Sequence, residues 1–214
     1  MSETDVAAQA AAILADEASD DATTFLTDAE LDGLPQDTIE GLVRLSLPED
    51  EIGPYYLRVI GLVSAELQKE MSDDIGEHTD PIEVVRIMQD ERSGAHRDAI
   101  MSAYVLSGDG ESMSQVFSPT IGLVSAEVQE KMVTQLGESG TDADDLIGIL
   151  TDEASVSHRK AIAQAIADDN EWDNDEITKL IAGAGHCLDD ATIVILARAM
   201  QDEKPEKAVT SPEA

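Results

Sequence analysis

Cysteine, aromatic residues and positive charge are all scarce in this chain, and each scarcity excludes something. The only cysteine, Cys187, can close no internal disulfide, so the chain is not a disulfide scaffold and implies no oxidising compartment. His186-Cys187 and His78 lack the ligand number and spacing of a transition-metal centre, and no cofactor-binding motif is present, so no metal and no cofactor is expected. Lys and Arg number 13, scattered along the sequence, and no basic stripe exists to neutralise phosphates. Nucleic acid and anionic membrane are therefore not expected partners. No apolar run approaches bilayer length, and the Met1-Ser2-Glu3-Thr4-Asp5 start is acidic where a secretory leader is basic. The expected location is intracellular, in the cytoplasm or within a virion.

Acid is abundant. Asp and Glu number 46, giving a formal net charge of -33 over 214 residues. Such a chain is either disordered or a folded protein with an acidic surface, and a hydrophobic content of 42%, spaced periodically over most of the length, favours folding. Self-repulsion on this scale is relieved in brine, where the Debye length falls to about 3 Å at 1 M salt. The composition resembles that of proteins from salt-in halophiles, haloarchaea and their viruses.

The chain repeats itself. Ile60 to Met71 reads IGLVSAELQKEM and Ile121 to Met132 reads IGLVSAEVQEKM, with three differences. Gly76-Glu77 then matches Gly137-Glu138 in what reads as a loop, and the second copy carries one extra residue before register resumes. Asp90 to Ile100 matches Asp152 to Ile162, including His96-Arg97 against His158-Arg159. The unit is about 60 residues. Ile13 to Ser19 echoes Ile149 to Ser155, and Met200 to Glu203 echoes Met88 to Glu91, as degenerate end repeats would.

Apolar residues at Ile60, Val63, Leu67, Met71, Ile75 and at Ile121, Val124, Val128, Met132, Leu136 have helical spacing. A shorter second helix starts at Asp80-Pro81 or Asp142, and a third carries Ala99, Ile100, Ala103, Tyr104 or Ala161, Ile162, Ala165, Ile166. Ser118-Pro119 and Asp173 read as further helix starts, Gly76, Gly108, Gly137 and Gly140 as ends, and Asp109 to Ser112 as a turn. Residues 5–18, 36–47, 174–182 and 188–201 add helices outside the copies. The expected fold is all-α, built on a duplicated three-helix unit of about 60 residues, as an open helical repeat array or a closed pseudo-twofold bundle. Its expected divisions are an N-terminal helical segment (1–52), repeat 1 (53–117), repeat 2 (118–172), a helical cap (173–203) and a disordered acidic tail (204–214).

One segment reads against an all-helical fold. Asp189 to Leu196 is rich in β-branched residues and resembles the closing strand of metal-dependent serine/threonine phosphatases. Such an enzyme needs metal-binding Asp-Gly motifs among many strands, whereas Asp32-Gly33 and Asp109-Gly110 lie between helical segments. Gly183-Ala184-Gly185 is too short for a dinucleotide fingerprint, and no EF-hand spacing occurs.

The repeated His96-Arg97 and His158-Arg159 are the candidate polar site, either a matched anion or partner site or a set of inter-helix ion pairs. No catalytic residue stands out. The functional expectation is a non-enzymatic helical-repeat protein that binds another protein, as an adaptor or a component of an assembly, with self-association open. A small hydrolase with an unrecognised site and an acidic nucleic-acid mimic are the alternatives.

Overall fold

Helix starts in this chain are written by aspartate. In the computed structural model, which describes residues 3–47, 52–108, 110–137, 141–169 and 172–200, four helices begin on an aspartate whose carboxylate accepts an otherwise orphaned backbone N–H. Asp80 accepts from Ile82 N at 2.9 Å ahead of α6 (Pro81–Gln89), and Asp142 from Asp144 N at 2.6 Å ahead of α10 (Ala143–Thr151). Asp189 accepts from Thr192 N at 2.7 Å at the head of α13 (Asp190–Ala199). Asp173 forms a full capping box with Glu176 at the head of α12 (Asn174–Ala184), with reciprocal bonds of 2.8 and 3.0 Å.

The remaining helices are α1 (Glu3–Asp16), α2 (Ser19–Asp28), α3 (Gln36–Ser46), α4 (Gly53–Val59), α5 (Ala65–His78), α7 (Arg97–Ser107), α8 (Gly110–Thr120), α9 (Ala126–Gly137) and α11 (Arg159–Asp168). The protein is all-α: the described residues hold thirteen α-helices, four 3-10 turns and no strand. No helix among them is long and apolar enough to cross a membrane.

The helices pack in two rows. In the first, α2 lies on α4, α4 on α6, α6 on α8, α8 on α10 and α10 on α12. In the second, α1 lies on α3, α5 on α7, α7 on α9, α9 on α11 and α11 on α13. Within the second row, α3 meets α5 and its N-cap residue through polar bonds, Arg44 to Glu70 at 3.2 Å and the Ser64 N–H to Glu40 at 2.8 Å. Between the rows runs one continuous apolar core, from Val6 through Leu42, Met71, Met88, Phe117 and Leu150 to Leu196.

Several local expectations are corrected. Two further helices, α4 and α8, precede those that the spacing suggested. Ile60 and Val63 sit in the turn between α4 and α5, and Ile121 and Val124 in or beside a 3-10 turn, so the helices begin later, at Ala65 and Ala126. These residues are nonetheless buried, since the turn folds back onto the core. Ser118-Pro119 does not start a helix: Pro119 lies near the end of α8. Gly110 to Ser112 belong to α8 rather than to a turn, and residue 118 falls inside that helix. Gly76 lies within α5 and not in a loop. The β-branched run from Ala191 to Leu196 is helical, because the Asp189 cap and the buried Thr192 and Leu196 fix a helical register that outweighs intrinsic propensity. The expected disordered tail at 204–214, and Asp109 and Gly140, lie outside the described residues.

Two adjacent tyrosines at the start of α4 show how the core handles its few polar atoms. Tyr55 and Tyr56 are fully buried, Tyr55 sharing a hydrogen bond with Ser46 and Tyr56 donating at 2.9 Å to Ser72, whose hydroxyl donates to Gln68 O at 2.7 Å. Burial pushes the Tyr56 phenol up to about 12, partly offset by the Ser72 bond. The folded state holds the neutral phenol while the unfolded chain releases its proton near 10.0. Stability is thus intact below that pH and falls by about 2–3 kcal/mol as pH rises toward 12. Denaturation curves taken across that range should show the loss in wild type and a smaller one in Tyr56→Phe.

Candidate functional site

The repeated histidine-arginine pairs occupy equivalent places at hairpin turns. Asp90 and Asp152 end α6 and α10, and their carboxylates accept from Arg92 N at 2.9 Å and Ala154 N at 2.8 Å, closing the 3-10 turns Glu91–Ser93 and Glu153–Ser155. His96 and His158 are then the N-cap residues of α7 and α11. Arg97 and Arg159, at the first helical position, reach back across the turn and donate to the main-chain oxygens of Asp90 at 3.2 Å and Asp152 at 3.3 Å. Arg159 also donates at 2.8 Å to Cys187 O, in the turn of the next hairpin. Both arginines therefore staple backbone to backbone, and in both the guanidinium Nε is buried without a partner.

The two pairs do not converge. α7 packs on α9 and α9 on α11, so a whole helix separates them. Their histidines also differ. His96 is partly buried, and desolvation lowers its pKa. His158 meets Phe117 on α8 in a T-shaped contact, ring centroids 6.4 Å apart at 88°.

His158 has a second neighbourhood that the sequence did not bring forward. Between α9 and α11 runs an open furrow of about 730 Å³. Its floor is made of Ala126, Val133 and Gly137 from α9 and Ala161 and Ala165 from α11. The furrow exists because these side chains are small: a Cβ on Gly137 would stand 2.3 Å from the Ala165 Cβ, so the helices touch backbone to backbone and leave unfilled space above the contact. Glu130, Asp168 and Asp169 put carboxylates on the rim, and Gln129 and Gln164 add amides. Trp172 locks the far end, its indole N–H donating at 2.8 Å to Gly137 O.

The equivalent positions between α5 and α7 are Gly76, Ala99 and Ala103, and a Cβ on Gly76 would stand 2.3 Å from Ile100 O. There the rim residues matching Glu130, Asp168 and Asp169 are Lys69, Leu106 and Ser107, so the acidic rim belongs to the second copy. The signal was present in the sequence as the pairs Ala99/Ala103 and Ala161/Ala165, each a helical turn apart, beside a repeated glycine.

Among the described residues no group of three or more His, Cys, Asp or Glu side chains is placed to hold a metal ion. Comparison of the chain with protein-family models, with curated proteins and with solved structures gives no match.

Proposed function

We propose that the protein is a stack of helical hairpins, descended from a duplicated unit, that binds a partner protein in the furrow between α9 and α11. The observation that carries this reading is the furrow itself, lined by alanine, valine and glycine together with carboxylates and amides. Those features suit a helix or an extended segment laid between two parallel ridges, its apolar side chains on the floor and its basic or amide groups on the rim. A stack of this kind offers such surfaces without a catalytic pocket, which fits an adaptor or an assembly component. The acidic composition fits work at high salt inside a cell or particle.

Ala161 is exposed on the furrow floor, so Ala161→Arg fills the groove without disturbing the core. Tagged wild type carried through a cell extract in molar potassium chloride should retain a stoichiometric protein that Ala161→Arg loses. Binding of that protein should weaken by about tenfold or more, with helical content unchanged. Equal retention by both chains would overturn the reading.

A further inference from the structure

α9 borders a second opening besides the α9–α11 furrow. On its other side, toward α7, lies a groove of about 550 Å³, and Glu130 and Thr134 line both openings. The rest of this groove is made of Val105 and Leu106 from α7 and Glu127, Lys131 and Gln135 from α9. Leu106 is 86% exposed, a large apolar side chain set in water on a chain of net charge -33. One exposed leucine is ordinary on a protein surface. Its weight comes from its place, on a groove that shares residues with the furrow.

The two copies differ at this point. The opening beside α5, the helix that α9 matches in sequence, measures about 330 Å³ and is lined by Leu47 with Glu70, Asp73, Asp74 and Glu77. Where α5 has Glu70, Asp73 and Asp74, α9 has Lys131, Thr134 and Gln135, so a cation, a hydroxyl and an amide stand in place of three carboxylates. One acid enters by the same alignment, Glu130 for Lys69. The Glu127–Lys131 pair, at 3.0 Å, cancels its own charge. The other carboxylates lie on the crest of α9, at Glu130, or across the furrow on its α11 side, at Asp168 and Asp169. α9 thus divides a leucine-bearing, nearly neutral groove from a furrow with an acidic edge.

We propose that two packed helices of the partner straddle α9, one with basic groups in the α9–α11 furrow and one with an uncharged apolar face against Leu106, a proposal that rests on reading the furrow as a docking site. Spacing and charge select this occupant. Openings on either side of one helix lie about 8–10 Å apart, one interhelical distance, which is also the separation of two helices packed in a hairpin. A lone segment lying along the furrow would leave Leu106 in water. The charge grading fixes which helix goes where, with the basic one beside Glu130, Asp168 and Asp169 and the uncharged one beside Thr134 and Gln135. A second copy of this chain, with 46 acidic residues against 13 basic, is poorly matched to the acidic edge.

The full chain carrying a benzophenone side chain at Leu106 or at Gln164 should, in extract at molar potassium chloride, link to the same polypeptide. The two links should map to separate stretches of its sequence, the stretch reached from Gln164 being the richer in lysine and arginine. Leu106→Asp should weaken retention of that polypeptide by about tenfold with the far-ultraviolet circular dichroism unchanged. Thr134→Asp, which puts back the carboxylate of the first copy, should weaken it as well. Full retention by Leu106→Asp, or links from both probes to a single stretch, would overturn the straddling pair, and Ala161→Arg would still lose the polypeptide if the furrow reading holds. Retention by Ala161→Arg, or no polypeptide retained by wild type, would overturn both readings. Links from either probe to a second copy of this chain would overturn the proposal in favour of self-association.

Discussion

Gly137→Leu is expected to unfold the second half of the stack. Even the first carbon of the new side chain would lie 2.3 Å from the Ala165 Cβ and 2.7 Å from the Ala165 carbonyl carbon, so α9 and α11 have to part. The obstacle is helix backbone rather than the tip of a flexible side chain, and relaxation by rotamer change is unavailable. Parting the helices also removes the acceptor of the Trp172 bond and uncovers Val133 and Ala163. Gly137→Ala should already cost about 3 kcal/mol, the upper range for overpacking, and lower the melting temperature by about 10 °C. Gly76→Ala should behave alike, because its Cβ would meet Ile100 O at 2.3 Å and the Ala103 Cβ at 2.6 Å. Gly148 is the internal control. It lies inside α10 with nothing within 4 Å of an added Cβ, so Gly148→Ala should stabilise by about 0.5–1 kcal/mol through helix propensity alone. Thermal melts of the three variants read all of this at once, and equal effects at Gly137 and Gly148 would contradict the packing argument.

The second large effect is that of salt. With 46 acidic against 13 basic residues, few carboxylates have a cation beside them, and the ion pairs present, such as Lys131–Glu127 at 3.0 Å and Lys179–Asp144 at 2.8 Å, are exposed. Exposed pairs contribute little, about 0–1 kcal/mol each. Repulsion among the rest acts on the compact state until it is screened, and screening tightens from about 10 Å at 0.1 M salt to about 3 Å at 1 M. Stability should therefore climb by several kcal/mol between dilute buffer and molar potassium chloride, with a partly or wholly unfolded chain at the dilute end. Circular dichroism at 222 nm followed through a salt titration measures this directly, and a melting temperature flat across the titration would remove the basis for reading the composition as a salt adaptation.

What the sequence made legible, and what it hid, have a common physical root. The aspartate caps at Asp80, Asp142 and Asp173 were readable because a cap is a local device, a side chain bonding a backbone three residues or fewer away. The apolar spacing in α5, α9 and α11 was readable because burial on one face has a helical period. The helices α4 and α8 were not. In Gly53–Val59 five of the seven residues are buried, too short and too apolar a stretch to show a period, and in α8 Pro119 reads as a start although it stands near the helix end. The His96-Arg97 and His158-Arg159 repeats were visible, but their bonds run to main-chain oxygens of Asp90, Asp152 and Cys187, which no residue pattern announces. The furrow was hidden for another reason. It is defined by the smallness of Gly137, Ala161 and Ala165 where two helices cross, and alanines a helical turn apart read as one more stretch of buried face rather than as a gap above a close contact.

A photoreactive side chain on the walls of the α9–α11 furrow reads out whether a partner lies in it. With the probe at Gln164 or Thr134, both exposed beside the floor, irradiation in molar potassium chloride should link the chain to one partner polypeptide, and a free Ala161→Arg background should abolish the link. The same probe at Glu66 on α5, outside the furrow, should give none. Linking that is equal from Glu66 and Gln164, or that survives Ala161→Arg, would contradict the account.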